Sequence, residues 1–134
     1  MSVFERATVK AEKAEKQALI VDDDPGLLGA LARTFKLEGF EVRTAGNGRE
    51  ALELLIANPD FQPVVILSDH DMPLMTGSEF YRQLRQTFPE LEPRFIMMSG
   101  SVKPKGFCES RSIPFLDKPF DTQALNAAIK LVLP

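Results

Sequence analysis

Four places in this sequence carry side chains that could do chemistry together: the run Asp22-Asp23-Asp24, the lone Asp69, Ser99 and Lys118. Each closes or follows a short apolar run, at Ala18–Val21, Val64–Leu67, Arg94–Met98 and Ile113–Leu116. Runs of this kind, rich in β-branched residues and bounded by turn signals, read as strands buried on both faces. In a parallel sheet their carboxyl ends share one edge, and ligands bind in the crevice beyond that edge. Carboxylates gathered there repel one another and resist ionising together. A hard divalent cation removes the conflict. Mg²⁺ suits such a site, with few carboxylates, several waters and phosphate oxygens around it. Lys118 adds a point charge for the same anions, and the Ser99 hydroxyl can hydrogen-bond a phosphoryl oxygen. A carboxylate nucleophile beside Mg²⁺ and a lysine fits phosphoryl transfer, in which catalysis is mostly positioning and charge neutralisation.

The intervening segments must hold these groups in place. Asp24-Pro25 reads as an N-cap and first helical residue, followed by a face of Leu27, Leu28, Leu31 and Phe35 and a stop at Gly39. Phe40 to Thr44 alternates as a second strand. Asn47 and Glu50 resemble a capping box for a helix over Arg49–Ala57, ended by Asn58-Pro59. Phe80, Leu84 and Phe88 line a third helix stopped by Pro89. Asp121 caps a last helix with an inner face of Leu125, Ala128, Ile129 and Val132. Strand and helix alternate throughout, which predicts a doubly wound α/β fold with a parallel sheet and helices on both faces.

Composition narrows the function classes. A chain of 134 residues with 44% hydrophobic and 26% charged content is one globular domain. A net charge of −3 argues against direct nucleic-acid binding, which would need a basic patch. No apolar run reaches the length of a membrane span, and the N-terminus lacks a signal-peptide core, so the expected setting is cytoplasmic. One cysteine and one histidine exclude an internal disulfide and a Cys/His zinc site. Residues 1–17, rich in Ala, Glu and Lys, read as a helical or flexible leader before a domain over 18–134. That leader is either solvated or a packing arm for a partner or a second copy, which would make a homodimer.

Taken together, these residues resemble the receiver domain of two-component response regulators, from about Gln17 to Leu133. The likeness rests on Val21-Asp22-Asp23-Asp24-Pro25, Asp69 with Met72-Pro73 and Gly77, Ser99-Gly100, and Lys118-Pro119-Phe120. It implies a five-stranded, flavodoxin-like sheet of order 2-1-3-4-5. It also implies that Asp69 accepts a phosphoryl group from a phosphohistidine on a sensor histidine kinase or phosphotransfer protein. Mg²⁺ would be held by Asp23, Asp69 and the main-chain carbonyl of Asp71, with Asp22 in an outer position. Ser99 and Lys118 would bind phosphoryl oxygens, Lys118-Pro119 would be cis, and Phe115 would be the aromatic that changes rotamer on activation. The chain would then be a switch that passes phosphorylation to an unidentified downstream protein, not an enzyme beyond its own phosphorylation and dephosphorylation. With nothing after Pro134, output would run through protein contacts, unless the chain is cut from a larger regulator or hybrid kinase.

Two departures from the family pattern stand out. The Ser99 to Lys118 interval is short and contains Pro104 and Gly106, so the fourth helix should be short, irregular or displaced. Asp71 places a second acid two residues beyond the acceptor, which should alter the lifetime of the phosphoryl group. Asp69-His70-Asp71 also allows another reading, a Mg²⁺-dependent phosphatase with an aspartyl-phosphate intermediate; a third is a receiver that docks partners without phosphorylation. Gly46-Asn47-Gly48-Arg49-Glu50-Ala51 fits a dinucleotide-binding pattern, but after the second strand instead of the first, and reads better as a glycine turn. His70 reads as a surface residue, Cys108 as a small apolar one, and Met72, Met75, Met97 and Met98 as packing.

Overall fold

A computed structural model of the chain describes residues 16–134. Most of the expected leader lies outside the described residues, and its last position, Gln17, already belongs to the first strand. The strands are β1 (Gln17–Val21), β2 (Glu41–Ala45), β3 (Val65–Asp69), β4 (Phe95–Ser99) and β5 (Phe115–Asp117). The helices are α1 (Pro25–Leu37), α2 (Gly48–Ala57), α3 (Gly77–Thr87), α4 (Lys105–Ser110) and α5 (Thr122–Val132). All strand pairs are parallel, in the order β2-β1-β3-β4-β5, as the resemblance implied.

Side chains alternate along the strands and so feed two cores. Leu19, Val21, Ile66, Phe95 and Met97 pack with Ala51, Leu55, Phe80, Tyr81, Leu84 and Cys108, beneath α2, α3 and α4. Ala18, Ile20, Val65, Leu67, Ile96 and Met98 pack with Leu31, Phe35, Leu125 and Ile129, beneath α1 and α5. The central strands β1, β3 and β4 are therefore buried on both faces, which is why they read as unbroken apolar runs. Burial pushes the Cys108 thiol up to about 11, which marks it as packing rather than a reactive group.

Local chemistry sets the element ends. Asp24 Oδ1 accepts from the amides of Gly26 and Leu27 at 3.0 and 3.4 Å, capping α1. Gly39, with φ of 91°, ends that helix in a left-handed turn. The Phe40 amide then donates to the Phe35 carbonyl, and the two rings meet edge-on at 5.3 Å. Asn47 caps α2 by accepting from the Glu50 amide at 2.8 Å, while Glu50 Oε2 accepts in return from Gly46, one residue ahead of the cap. Neither Gly46 nor Gly48 has a positive φ, so the expected glycine turn is corrected. Gly48 is small because a Cβ there would sit 2.8 Å from the Phe80 Cβ.

Two stretches differ from expectation or sharpen it. A 3₁₀ turn over Pro89–Arg94 comes after α3, so β4 starts at Phe95 and not at Arg94. Two prolines within six residues leave too few amide donors for an α-helix there. Helix α4 is short, as expected: six residues, entered from Pro104 without a side-chain cap and left through Ser112 at φ of 55°. Among the described residues, no helix is long and apolar enough to cross a membrane.

Candidate functional site

The carboxyl ends of β1 and β3, neighbours in the sheet, bring their acids together. Asp22, Asp23 and Asp69 each offer a carboxylate oxygen, and these oxygens lie within 4.8 Å of one another. Asp22 and Asp69 are buried and Asp23 is exposed. The loop after β5 delivers Lys118, whose amide donates to the Ser99 carbonyl at 2.9 Å. Its ammonium reaches Asp22 Oδ2 at 2.8 Å and Asp69 Oδ1 at 3.1 Å. The Lys118-Pro119 bond is cis.

Three carboxylates facing one ammonium leave two negative charges uncompensated. Burial pushes the Asp69 carboxyl above the ordinary carboxylate range; Lys118 pulls it back, and Asp22 adds to the rise. Burial works against the charge on Lys118 as well. The hydrogen bond to Asp22 and the charge of Asp69 outweigh it and hold the ammonium above the usual lysine range. Asp22 is spoken for on both oxygens, since Oδ1 accepts from the Asp24 amide at 2.9 Å. All three acids still present an oxygen to a shared point where a cation could sit. An all-oxygen donor set with surplus negative charge fits Mg²⁺.

The β3–α3 loop is tied down beside the cluster. The His70 amide donates to the Met98 carbonyl at 2.9 Å, and the His70 carbonyl accepts from the amides of Gly77 and Met72. His70 is half-buried, with Nδ1 3.1 Å from Ser78 Oγ, so it is anchored to α3 and not free on the surface. Thr76 caps α3 through the Glu79 amide.

Ser99 is fully buried at the end of β4. Its hydroxyl donates to Asp71 Oδ2 at 2.9 Å and accepts from the Ser101 amide at 3.0 Å. The Asp71 carboxylate is thus a partner of Ser99, a role that residue types and spacing do not reveal. Phe115 is half-buried against the α2–α4 core and pairs with Met97, two residues before Ser99. The structure therefore gathers Asp22, Asp23, Asp69 and Lys118 into one cluster and sets Ser99 with Asp71 as a second pair.

The family model described as "Response regulator receiver domain" matches residues 18–130. The chain belongs to that family. Receiver domains are signalling modules of two-component systems that interact with kinases and downstream effectors, so the phosphatase reading of Asp69-His70-Asp71 gives way. The regulatory protein AtoC of Escherichia coli is 32% identical over 90% of this chain. The C4-dicarboxylate transport transcriptional regulatory protein DctD of Pseudomonas aeruginosa is 35% identical over 90% of it. This receiver domain spans 26% of the length of each of those relatives. The solved structure of the chemotaxis response regulator CheY4 of Vibrio cholerae is similar, with a TM-score of 0.73 and 30% identity. That likeness covers 87% of this chain and 98% of the CheY4 chain.

Proposed function

We propose that this receiver domain is a phosphoacceptor switch in which Asp69 takes a phosphoryl group from a phosphohistidine on a sensor histidine kinase or phosphotransfer protein. One observation carries the reading: buried Asp69 sits within 4.8 Å of the oxygens of Asp22 and Asp23 and 3.1 Å from the Lys118 ammonium. Asp23, Asp69 and the main-chain carbonyl of Asp71 would hold Mg²⁺, and Asp22 orients Lys118 from an outer position. Mg²⁺, when bound, neutralises charge on the phosphoryl oxygens.

In the transfer, an Asp69 carboxylate oxygen attacks phosphorus. The P–N bond to the donor imidazole breaks as the P–O bond forms, and the leaving nitrogen keeps the bonding pair. Lys118 shifts its ammonium onto the phosphoryl oxygens, and Ser99 turns its hydroxyl to a second one. Moving a two-state switch from 1:99 to 99:1 takes about 5.5 kcal/mol of differential binding. A charge-assisted hydrogen bond contributes about 1.5–3 kcal/mol. Ser99 alone therefore cannot throw the switch; Lys118 and repacking at Phe115 must join it. The changed surface meets a downstream protein, and the acidic balance of the chain supports a protein over a nucleic acid as its direct partner.

Incubation with Mg²⁺ and a small phosphodonor such as acetyl phosphate, then intact mass, tests the site. Wild type gains one phosphoryl mass and Asp69→Asn gains none. A variant at Asp69 that still takes up the group would move the acceptor elsewhere.

A further inference from the structure

A serine hydroxyl has a single proton to donate. In this chain the buried Ser99 hydroxyl gives that proton to Asp71 Oδ2, at 2.9 Å. Its oxygen meanwhile accepts from the Ser101 amide, at 3.0 Å. The bond joins the β3–α3 loop, two residues past the acceptor Asp69, to the first residues of the β4–α4 loop. Ser99 is thus held by a carboxylate from the acceptor's own loop before any phosphoryl group arrives. A phosphoryl oxygen on Asp69 would need the same proton.

We infer that Asp71 is a positioning residue that acts as an internal stand-in for the phosphoryl group and competes with it for Ser99. This deepens the proposed reading of Asp69 as the phosphoacceptor and rests on it. Charge-assisted hydrogen bonds are the stronger kind, so releasing Ser99 from Asp71 subtracts from what the phosphoryl group gains by capturing it. The competition has two consequences. Asp71 sets a higher threshold for the active state than a residue without an acceptor would, and it keeps the β4–α4 loop in one resting arrangement through Ser99 and the Ser101 amide. This differs from simple repulsion between Asp71 and the anion, which would act whether or not Ser99 were present.

Beryllofluoride with Mg²⁺, titrated by calorimetry, separates the two in a cycle of wild type, Asp71→Ala, Ser99→Ala and the double variant. Asp71→Ala is expected to tighten beryllofluoride about tenfold in the wild-type background, and about threefold or less once Ser99 is gone. Equal tightening in both backgrounds means that Asp71 acts through its charge alone, and it overturns the inference. So does an Asp71→Ala that binds no tighter than wild type. If wild type itself takes up no beryllofluoride while remaining folded, the reading of Asp69 fails first, and that outcome is distinct from an absent coupling.

A second measurement needs no phosphoryl analogue. In the resting protein, amide hydrogen exchange at Ser101 should quicken about tenfold in Asp71→Ala and stay near wild type in Asp71→Asn, whose side-chain carbonyl still accepts from Ser99. Unchanged exchange at Ser101 in Asp71→Ala would show that Asp71 holds nothing.

Discussion

Gly77 lies against the backbone of Asp69 so closely that a Cβ on it would sit 2.4 Å from the Asp69 carbonyl oxygen. It would also meet Met97 Sδ at 2.7 Å and His70 Cα at 2.8 Å. Two of those three neighbours are main chain and cannot turn aside. Gly77 opens α3, where alanine would ordinarily be the better helix former. Here the sign reverses, because the added methyl must displace the strand end that carries the acceptor.

Gly77→Ala should therefore lose about 3 kcal/mol of stability, at the upper end of overpacking costs, and weaken Mg²⁺ binding with it. Gly29→Ala is the matched control. Gly29 is exposed on α1 with nothing within 4 Å of a built Cβ, so that change should gain about 0.5–1 kcal/mol. Urea unfolding of the two variants checks both signs at once.

The uncompensated charge at the site gives a second prediction. Burial and Asp22 raise the Asp69 carboxyl in the folded chain above its unfolded value of 3.8 despite Lys118. A carboxyl raised on folding costs stability when ionised. The cost is therefore present at neutral pH and is recovered as pH falls through the raised folded value towards 3.8. Without Mg²⁺, Asp69→Asn should melt above wild type at pH 7, and the gap should close as the pH is lowered. Mg²⁺ at ten times its dissociation constant should stabilise wild type by about 1.4 kcal/mol and Asp69→Asn by much less. Thermal melts with and without Mg²⁺ would expose the error if Asp69→Asn melts lower in both.

How much of this site was legible in the sequence depends on what fixes each residue. Asp22, Asp69 and Lys118 could be placed because strand ends inherit their position from the parallel sheet, whatever the loops do. The unbroken apolar runs that mark the central strands are written in Leu19 to Val21, Val65 to Leu67 and Phe95 to Met98. The Ser99–Asp71 pair was not legible, since it depends on the path of the loop after Asp69, and no periodicity encodes that path. Gly48 was misread for a related reason. A glycine set by a facing phenylalanine and one set by a left-handed φ look alike until Phe80 is in place. The 3₁₀ turn at Pro89–Arg94 was invisible because proline signals the end of an α-helix without dictating the conformation of the residues beyond it.

Leu74 supplies a prediction about strain. It sits at φ of 69°, in a tight turn closed by a Met75 amide that donates to the Pro73 carbonyl at 2.7 Å, and it is 76% exposed. A leucine gains nothing there from burial and bears the left-handed cost of about 1–2 kcal/mol. Leu74→Gly, which bears no such cost, should stabilise the domain by about 1 kcal/mol and raise its melting temperature by about 4 °C. Leu74→Val, β-branched at the same angle, should lower it. If the two variants shift together, the turn does not hold this residue in the left-handed region.

Lys118 serves two buried carboxylates at once, which makes its removal more damaging than the loss of one surface ion pair. Lys118→Ala leaves Asp22, which is 1% exposed, and Asp69, which is 4% exposed, facing each other with no cation between them. Removing one partner of a buried pair costs about 3–5 kcal/mol. Asp22 cannot turn to water, since it is also pinned by the Asp24 amide. The loss should be greatest at neutral pH, where Asp69 is ionised, and should shrink as acid protonates it, because removing Lys118 removes the charge that holds the Asp69 carboxyl down. Mg²⁺ should recover part of the loss by supplying charge to the same oxygens, so Lys118→Ala is expected to gain more stability from Mg²⁺ than wild type does. Denaturant titrations at pH 5 and pH 7, each with and without Mg²⁺, measure all four states. A pH-independent loss, or one that Mg²⁺ does not relieve, would mean that Lys118 supports the fold through its packing instead of through the charge it shares with Asp22 and Asp69.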